Sequence, residues 1–168
     1  MKKEFLEAGK VRNTHALQGE IKAECWLEGA KPFEGLKHLY LSDGGERELE
    51  ILSVRRQGDI ALVRFCGIDT VEAASLLKGK TLFAARRELD PKNEKVYFAD
   101  LIGLPIAEDG EGTVYGTVRG VESRGASELF LVALPDGREL YFPAVKEFVV
   151  RCDADEGVFV RAPKGIFD

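Results

Sequence analysis

Short alternations of apolar and polar residues dominate the chain. Residues 20–27 (EIKAECWL), 38–42 (HLYLS) and 61–65 (ALVRF) put every second side chain on one face, the period of a strand half-buried against a core. Turn residues separate them at 42–46 (SDGGE) and 56–59 (RQGD). One segment, residues 68–80 (IDTVEAASLLKGK), breaks this rhythm. Val71, Ala74, Leu76 and Leu77 give it one apolar side. Asp69 reads as its N-cap, with Glu72 three residues on, and Gly79 stands where a helix stops. The spacing predicts a helix of about ten residues, leading directly into a strand at 80–85 (KTLFAA).

Residues 86–96 (RRELDPKNEKV) are dense in charge, contain Pro91 and hold almost no apolar side chains. A linker is expected at 89–96, dividing a domain over 1–88 from one over 97–168. The second half returns to strands and turns, with hairpins expected around Pro135–Gly137 and Asp155–Gly157. Five or six short strands at this spacing suit a small barrel. A half-chain of about 80 residues has a modest core, and closing its sheet removes open edges. The fold class expected is therefore mostly β, with two small β-barrels and one short helix. Tyr97 and Phe98 stand side by side; on a strand, adjacent rings would point to opposite faces.

The composition, 45% hydrophobic and 32% charged, is that of a globular chain rather than a disordered one. No stretch approaches the roughly 20 apolar residues of a membrane helix, and Glu4 and Glu7 interrupt the N-terminus where a leader would be apolar. A soluble cytoplasmic monomer with no membrane partner is expected. Cys25, Cys66 and Cys152 are odd in number and widely spaced, so they are expected to be buried apolar residues rather than a disulfide framework or zinc site. Residues 1–88 hold 15 Lys/Arg and 14 Asp/Glu, a net +1, whereas residues 89–168 hold 9 and 15, a net −6. The acidic half suits a basic protein better than bare phosphate.

No catalytic set assembles. His38 begins a strand and lacks an obvious acidic or thiol neighbour in sequence, His15 lies just before the second strand, and neither Ser127 nor Cys66 lies in a nucleophile motif. Phosphate-binding glycine loops and metal signatures are missing from the sequence. The acidic stretches AEDGEG and CDADEG read as hairpin turns, not calcium loops. A binding protein without metal or cofactor is expected, rather than an enzyme.

Four stretches, in order, resemble the bacterial ribosome maturation factor RimM family: residues 8–23 (AGKVRNTHALQGEIKA), 67–89 (GIDTVEAASLLKGKTLFAARREL), 96–132 (VYFADLIGLPIAEDGEGTVYGTVRGVESRGASELFLV) and 141–167 (YFPAVKEFVVRCDADEGVFVRAPKGIF). The match spans nearly the whole chain. It departs at Ala16, where the family usually has Gly, at Asn13, where a small residue or Gly is common, and at Phe98, in place of a second tyrosine. The resemblance implies an N-terminal six-stranded barrel of the translation-factor type and a C-terminal PRC-type barrel. It implies binding to the head of the immature small ribosomal subunit, to its rRNA and to a small basic ribosomal protein there, protein S nineteen, chiefly through the C-terminal domain. It implies an assembly factor in rRNA processing, without known catalysis.

Within that frame Tyr97 is expected to be the exposed anchor and Phe98 the packed ring, since Phe has no hydroxyl to satisfy; the alternative is that both are buried. Asp100 accompanies them in the partner-binding set, although turn and packing roles fit it too. Arg12, Asn13, Thr14 and His15 read as a polar loop suited to RNA phosphates or sugars, extended by Arg55 and Arg56. Arg124, in a second loop at 123–128, is a further partner contact or an ordinary solvated residue. Two other functions compete: a PRC-barrel scaffold in a non-ribosomal complex, and a cofactor-binding β-barrel enzyme of the flavin type.

Overall fold

A computed structural model describes residues 2–27, 31–124 and 127–168. The chain divides into two compact units, residues 4–94 and residues 95–168 together with 1–3.

In the first unit the alternating segments become β1 (Phe5–His15), β2 (Glu20–Cys25), β3 (His38–Tyr40), β4 (Glu48–Gln57), β5 (Ile60–Phe65) and β6 (Thr81–Ala85). They close into a barrel in the order β1-β2-β5-β4-β3-β6, antiparallel at every pairing. Ala8 and Val11 of β1, Ile21 and Ala23 of β2, Val63 and Phe65 of β5, and Leu82 and Ala84 of β6 fill the interior. Each pair is spaced to fall on the inner face, by the period of two or through a bulge. Closure ties up the strand edges that could otherwise pair with another chain.

The helix α1 (Val71–Ser75) is half the length expected, and its N-cap is Thr70, not Asp69. The Thr70 hydroxyl accepts the N–H of Ala73 at 3.1 Å. Past Ser75 the chain tightens: Leu77, Lys78 and Lys80 donate to the carbonyls of Ala74, Ser75 and Leu77. A three-residue period stacks Leu77 on Ala74 and swings Leu76 outward. Leu76, expected on the apolar side, is 74% exposed.

The charge-dense stretch also begins inside the first unit. α2 (Arg86–Leu89) follows β6 directly, and Arg86 and Asp90 are both buried. Asp90 organises the residues after it: its N–H donates to the Arg86 carbonyl, its carbonyl accepts from Asn93, and its carboxylate accepts from Glu94.

The second unit holds α3 (Phe98–Leu101), β7 (Pro105–Glu108), β8 (Val114–Arg124), β9 (Ser127–Ala133), β10 (Glu139–Pro143), β11 (Val149–Asp153) and β12 (Gly157–Val160). One six-stranded sheet runs β10-β9-β8-β7-β12-β11. β12 lies parallel to β7, with Ile106 opposite Val158. Gly157 makes that entry possible: its φ is +117°, and a Cβ there would lie 2.2 Å from the Pro105 carbonyl oxygen. Ile106, Val118, Phe130, Val132, Phe142, Val158 and Val160 form the core. Phe167 stacks on Tyr115 at 4.3 Å and on Phe142 at 5.4 Å between ring centroids.

The Tyr97–Phe98 pair is not on a strand. Tyr97 caps the single turn of α3 and Phe98 is its first residue, so the alternation rule does not apply. The cysteines depart from expectation as well: all three are free, Cys25 and Cys152 are only half-buried, and Cys66 is exposed just past the end of β5. Among the described residues no helix is long and apolar enough to cross a membrane.

Candidate functional site

Arg12, Asn13, Thr14 and His15 lie on strand β1 rather than in a loop. A bulge between Val11 and Asn13 lets β1 continue, and Asn13, Thr14 and His15 pair with Lys22, Ile21 and Glu20. The loop proper is residues 16–19. Ala16 holds φ +60°, a left-handed conformation in which glycine costs least. Gly19 has φ +83°, and a Cβ on it would sit 2.1 Å from the Ile68 carbonyl oxygen.

Arg12, His15 and Arg55, expected to meet RNA, have acidic partners on β2. Arg55 grips Glu20 with two bonds, Nη2 to Oε1 at 2.8 Å and Nε to Oε2 at 3.3 Å. The hydrogen bond and charge of Glu20 raise the Arg55 pKa further above its ordinary value. His15 Nε2 lies 3.6 Å from the same carboxylate. Arg12 pairs with Glu24, whose other oxygen accepts the Trp26 indole N–H at 3.3 Å. Arg56 turns back to donate from Nε to the Gly58 carbonyl at 2.8 Å. The Asn13 carboxamide oxygen accepts the Thr14 N–H at 2.9 Å. The fold thus brings His15 and Arg55 together, holds Arg12 in a separate group, and ties Arg56 into the β4–β5 hairpin. Glu20, Glu24 and Trp26 were missing from the sequence-based set. Their signal was the alternation EIKAECW itself, which lines up 20, 22, 24 and 26 on one face.

His38 does have acidic neighbours, contrary to its sequence context. Nε2 lies 3.2 Å from Glu48 and Nδ1 3.5 Å from Glu88. β4 and α2 bring these carboxylates in from distant positions.

In the second unit the two aromatics reverse their expected roles. Tyr97 is half-buried, whereas Phe98 is 37% exposed. The inner edge of Phe98 still packs at right angles against Phe130, with centroids 5.6 Å apart. Asp100 is 2% exposed and therefore positions rather than touches a partner. Its carboxylate accepts the main-chain N–H of Tyr97 and that of Lys3, each at 2.9 Å.

Arg124 ends strand β8 instead of standing in a loop; Gly125 and Ala126 of that hairpin lie outside the described residues. Its guanidinium lies 4.4 Å over the Tyr141 ring and 3.4 Å from Glu122. The Tyr141 hydroxyl donates to Glu122 at 2.9 Å. Tyr141, which the sequence-based set lacked, follows the alternation of β10: Phe142 is buried, so Tyr141 faces outward. Phe98 packs on the Phe130–Phe142 side, so Phe98 and Arg124 occupy opposite faces of the sheet.

The acidic hairpin at 153–156 is a turn held by its own carboxylate. Asp153 accepts from the N–H groups of Asp155 and Glu156, both at 2.8 Å, and these bonds hold its pKa below the ordinary value. Among the described residues no group of His, Cys, Asp or Glu has the geometry to hold a metal ion.

Two family models match the chain: the RimM N-terminal domain over residues 6–89 and the RimM PRC barrel domain over residues 98–166. A ribosome maturation factor RimM from Acetivibrio thermocellus is 30% identical, with 98% of this chain and 97% of that protein covered. One from Lawsonia intracellularis is 29% identical, with 100% and 98% covered. The solution structure of the N-terminal domain of RimM from Thermus thermophilus aligns with 52% of this chain and 95% of that domain, at 23% identity and a TM-score of 0.45. On the family models and the full-length relatives, this chain belongs to the RimM family.

Proposed function

We propose that this protein is a ribosome maturation factor that binds the head of the immature small ribosomal subunit and promotes its maturation and the processing of its rRNA. The observation that carries this reading is the match of both RimM domains, in order, to nearly the whole chain. The protein acts by binding, as a cytoplasmic monomer, and carries no catalysis of its own. Its second unit meets a small basic ribosomal protein of the head. Two features support that partner: the net −6 of residues 89–168, and an exposed aromatic, Phe98, whose inner edge is fixed by Phe130. A rigid aromatic buries much area at little entropic cost, as interface anchors do.

Co-sedimentation through a density gradient tests the proposal. The protein is expected to travel with free small subunits and not with complete ribosomes. The Phe98→Ala variant is expected to be released from the subunits while remaining folded by circular dichroism. A folded wild-type protein that binds neither particle would overturn the ribosomal reading and favour a scaffold or enzyme.

A further inference from the structure

The outer face of the β1–β2 hairpin carries a group of side chains that the proposed function has not used. Lys22, Glu24 and Trp26 project from β2 and its continuation on one side, as their spacing of two requires. Lys10 stands directly opposite Glu24 in the register, and Arg12 reaches the same carboxylate. Trp26 extends the pairing by donating its main-chain N–H to the Ala8 carbonyl at 2.8 Å. Its indole is 49% exposed and is tethered at its N–H edge by Glu24. Lys10, Arg12 and Lys22 thus share this face with Glu24 and Trp26. Neither Lys10 nor Lys22 has an ion-pair partner among the described residues, whereas Glu24 is already engaged by Arg12 and Trp26.

We infer that this face binds single-stranded RNA, with Lys10 and Lys22 on phosphates and the Trp26 ring stacked on an unpaired base. The charge decides the class of ligand. The face sets three cations against one anion, a net +2, while the rest of residues 4–94 holds 11 Lys/Arg and 15 Asp/Glu, a net −4, so its attraction is local and directed at a polyanion. The ring decides between polyanions: a base offers a π-face to stack on, and base–aromatic stacking beside a basic track is how proteins hold single strands. An acidic protein segment would satisfy the lysines and leave the indole in water. Glu24 restrains the indole in advance, which lowers the ordering cost of binding, while its charge opposes phosphate. The inference deepens the small-subunit reading, and rests on it only for which RNA is met.

Trp26 is the only tryptophan in the sequence, so its fluorescence reports on this face alone. Titration of the full chain with a 12-nucleotide oligouridylate is expected to quench it. Affinity should fall with salt by about 0.7 log unit per log unit for each phosphate contact. Lys10→Gln with Lys22→Gln should flatten that slope by about 1.4, and Trp26→Ala, followed with labelled RNA, should weaken binding at least about fivefold. Glu24→Gln, which keeps an acceptor for the indole, should tighten it. Absence of quenching, an unchanged salt slope in the double lysine variant, or equal quenching by oligoglutamate would overturn the assignment. Gradient sedimentation of the same proteins separates the two readings. Wild type on small subunits without oligouridylate quenching defeats this inference alone, and quenching without subunit binding defeats the subunit reading alone.

Discussion

The carboxylate of Asp100 accepts the main-chain N–H of Tyr97 at 2.9 Å, from a position almost wholly withdrawn from solvent. This bond closes the single turn of α3 and so fixes where Phe98 emerges. A turn of four residues has too few internal bonds to hold itself, and Asp100 supplies what the helix lacks. Asp100→Ala leaves the N–H groups of Tyr97 and Lys3 without this acceptor and is expected to cost about 1–3 kcal/mol. Asp100→Asn keeps one oxygen and should cost less. Urea unfolding followed by far-ultraviolet circular dichroism measures both, and a shift below about 0.3 kcal/mol for the alanine variant would refute the role.

The cap of α1 separates two adjacent residues. Thr70→Ala is expected to destabilise the first unit by about 1 kcal/mol, since its hydroxyl serves the Ala73 N–H. Asp69→Ala should cost under half of that, as its ion pair to Arg64, at 3.9 Å, is exposed. Trp26 fluorescence during denaturation reads both; equal costs would mean the cap is misassigned.

Ala16 gives a stabilising substitution. A left-handed alanine costs about 1–2 kcal/mol, and glycine returns part of this as greater freedom in the unfolded chain. Ala16→Gly is expected to raise stability by roughly 0.5–1 kcal/mol. A lower urea midpoint for Ala16→Gly would contradict the backbone assignment.

Tyr115 sets an alkaline limit. Its hydroxyl donates to Glu108 at 2.8 Å, and that bond, with burial and the carboxylate's charge, pushes its pKa up to about 12. A phenol in the unfolded chain ionises near 10. The native state therefore keeps a proton that the unfolded state releases. Its contribution is whole below pH 10 and is lost as pH rises from 10 towards 12. Melting temperatures across that range should fall more steeply for wild type than for Tyr115→Phe. Parallel curves would show that the bond does not persist in solution.

The hydrophobic alternation carried most of the strand pattern, because period two is local information. The residues of EIKAEC and ALVRF face where that period places them. What escaped depends on partners distant in sequence. Nothing near His38 announces Glu88, because β3 and α2 meet only when the barrel closes. Asp69 and Thr70 are both good capping residues, and only the backbone, extended at Thr70 and helical from Val71, shows which one caps. Leu76 looked like a core residue because the prediction assumed 3.6 residues per turn where the segment tightens to three. Arg12 and Arg55 were legible as exposed cations, while their neutralisation by Glu24 and Glu20 required the strand register. The aromatic pair was misjudged for a related reason: side-chain chemistry favoured burying Phe98, but a one-turn helix orients its first residue by geometry.

The parallel pairing of β7 with β12 governs when the second unit can form during synthesis. β7 is among the first parts of that unit to leave the exit tunnel, yet its neighbour on one side, β12, is translated only after β8 to β11. Ile106 must wait for Val158, and the stack of Tyr115 on Phe142 through Phe167 waits longer still. A nascent chain halted anywhere before these residues presents one flank of β7 unpaired. The unit therefore closes late, and prematurely terminated chains are exposed to proteolysis and to edge-to-edge association.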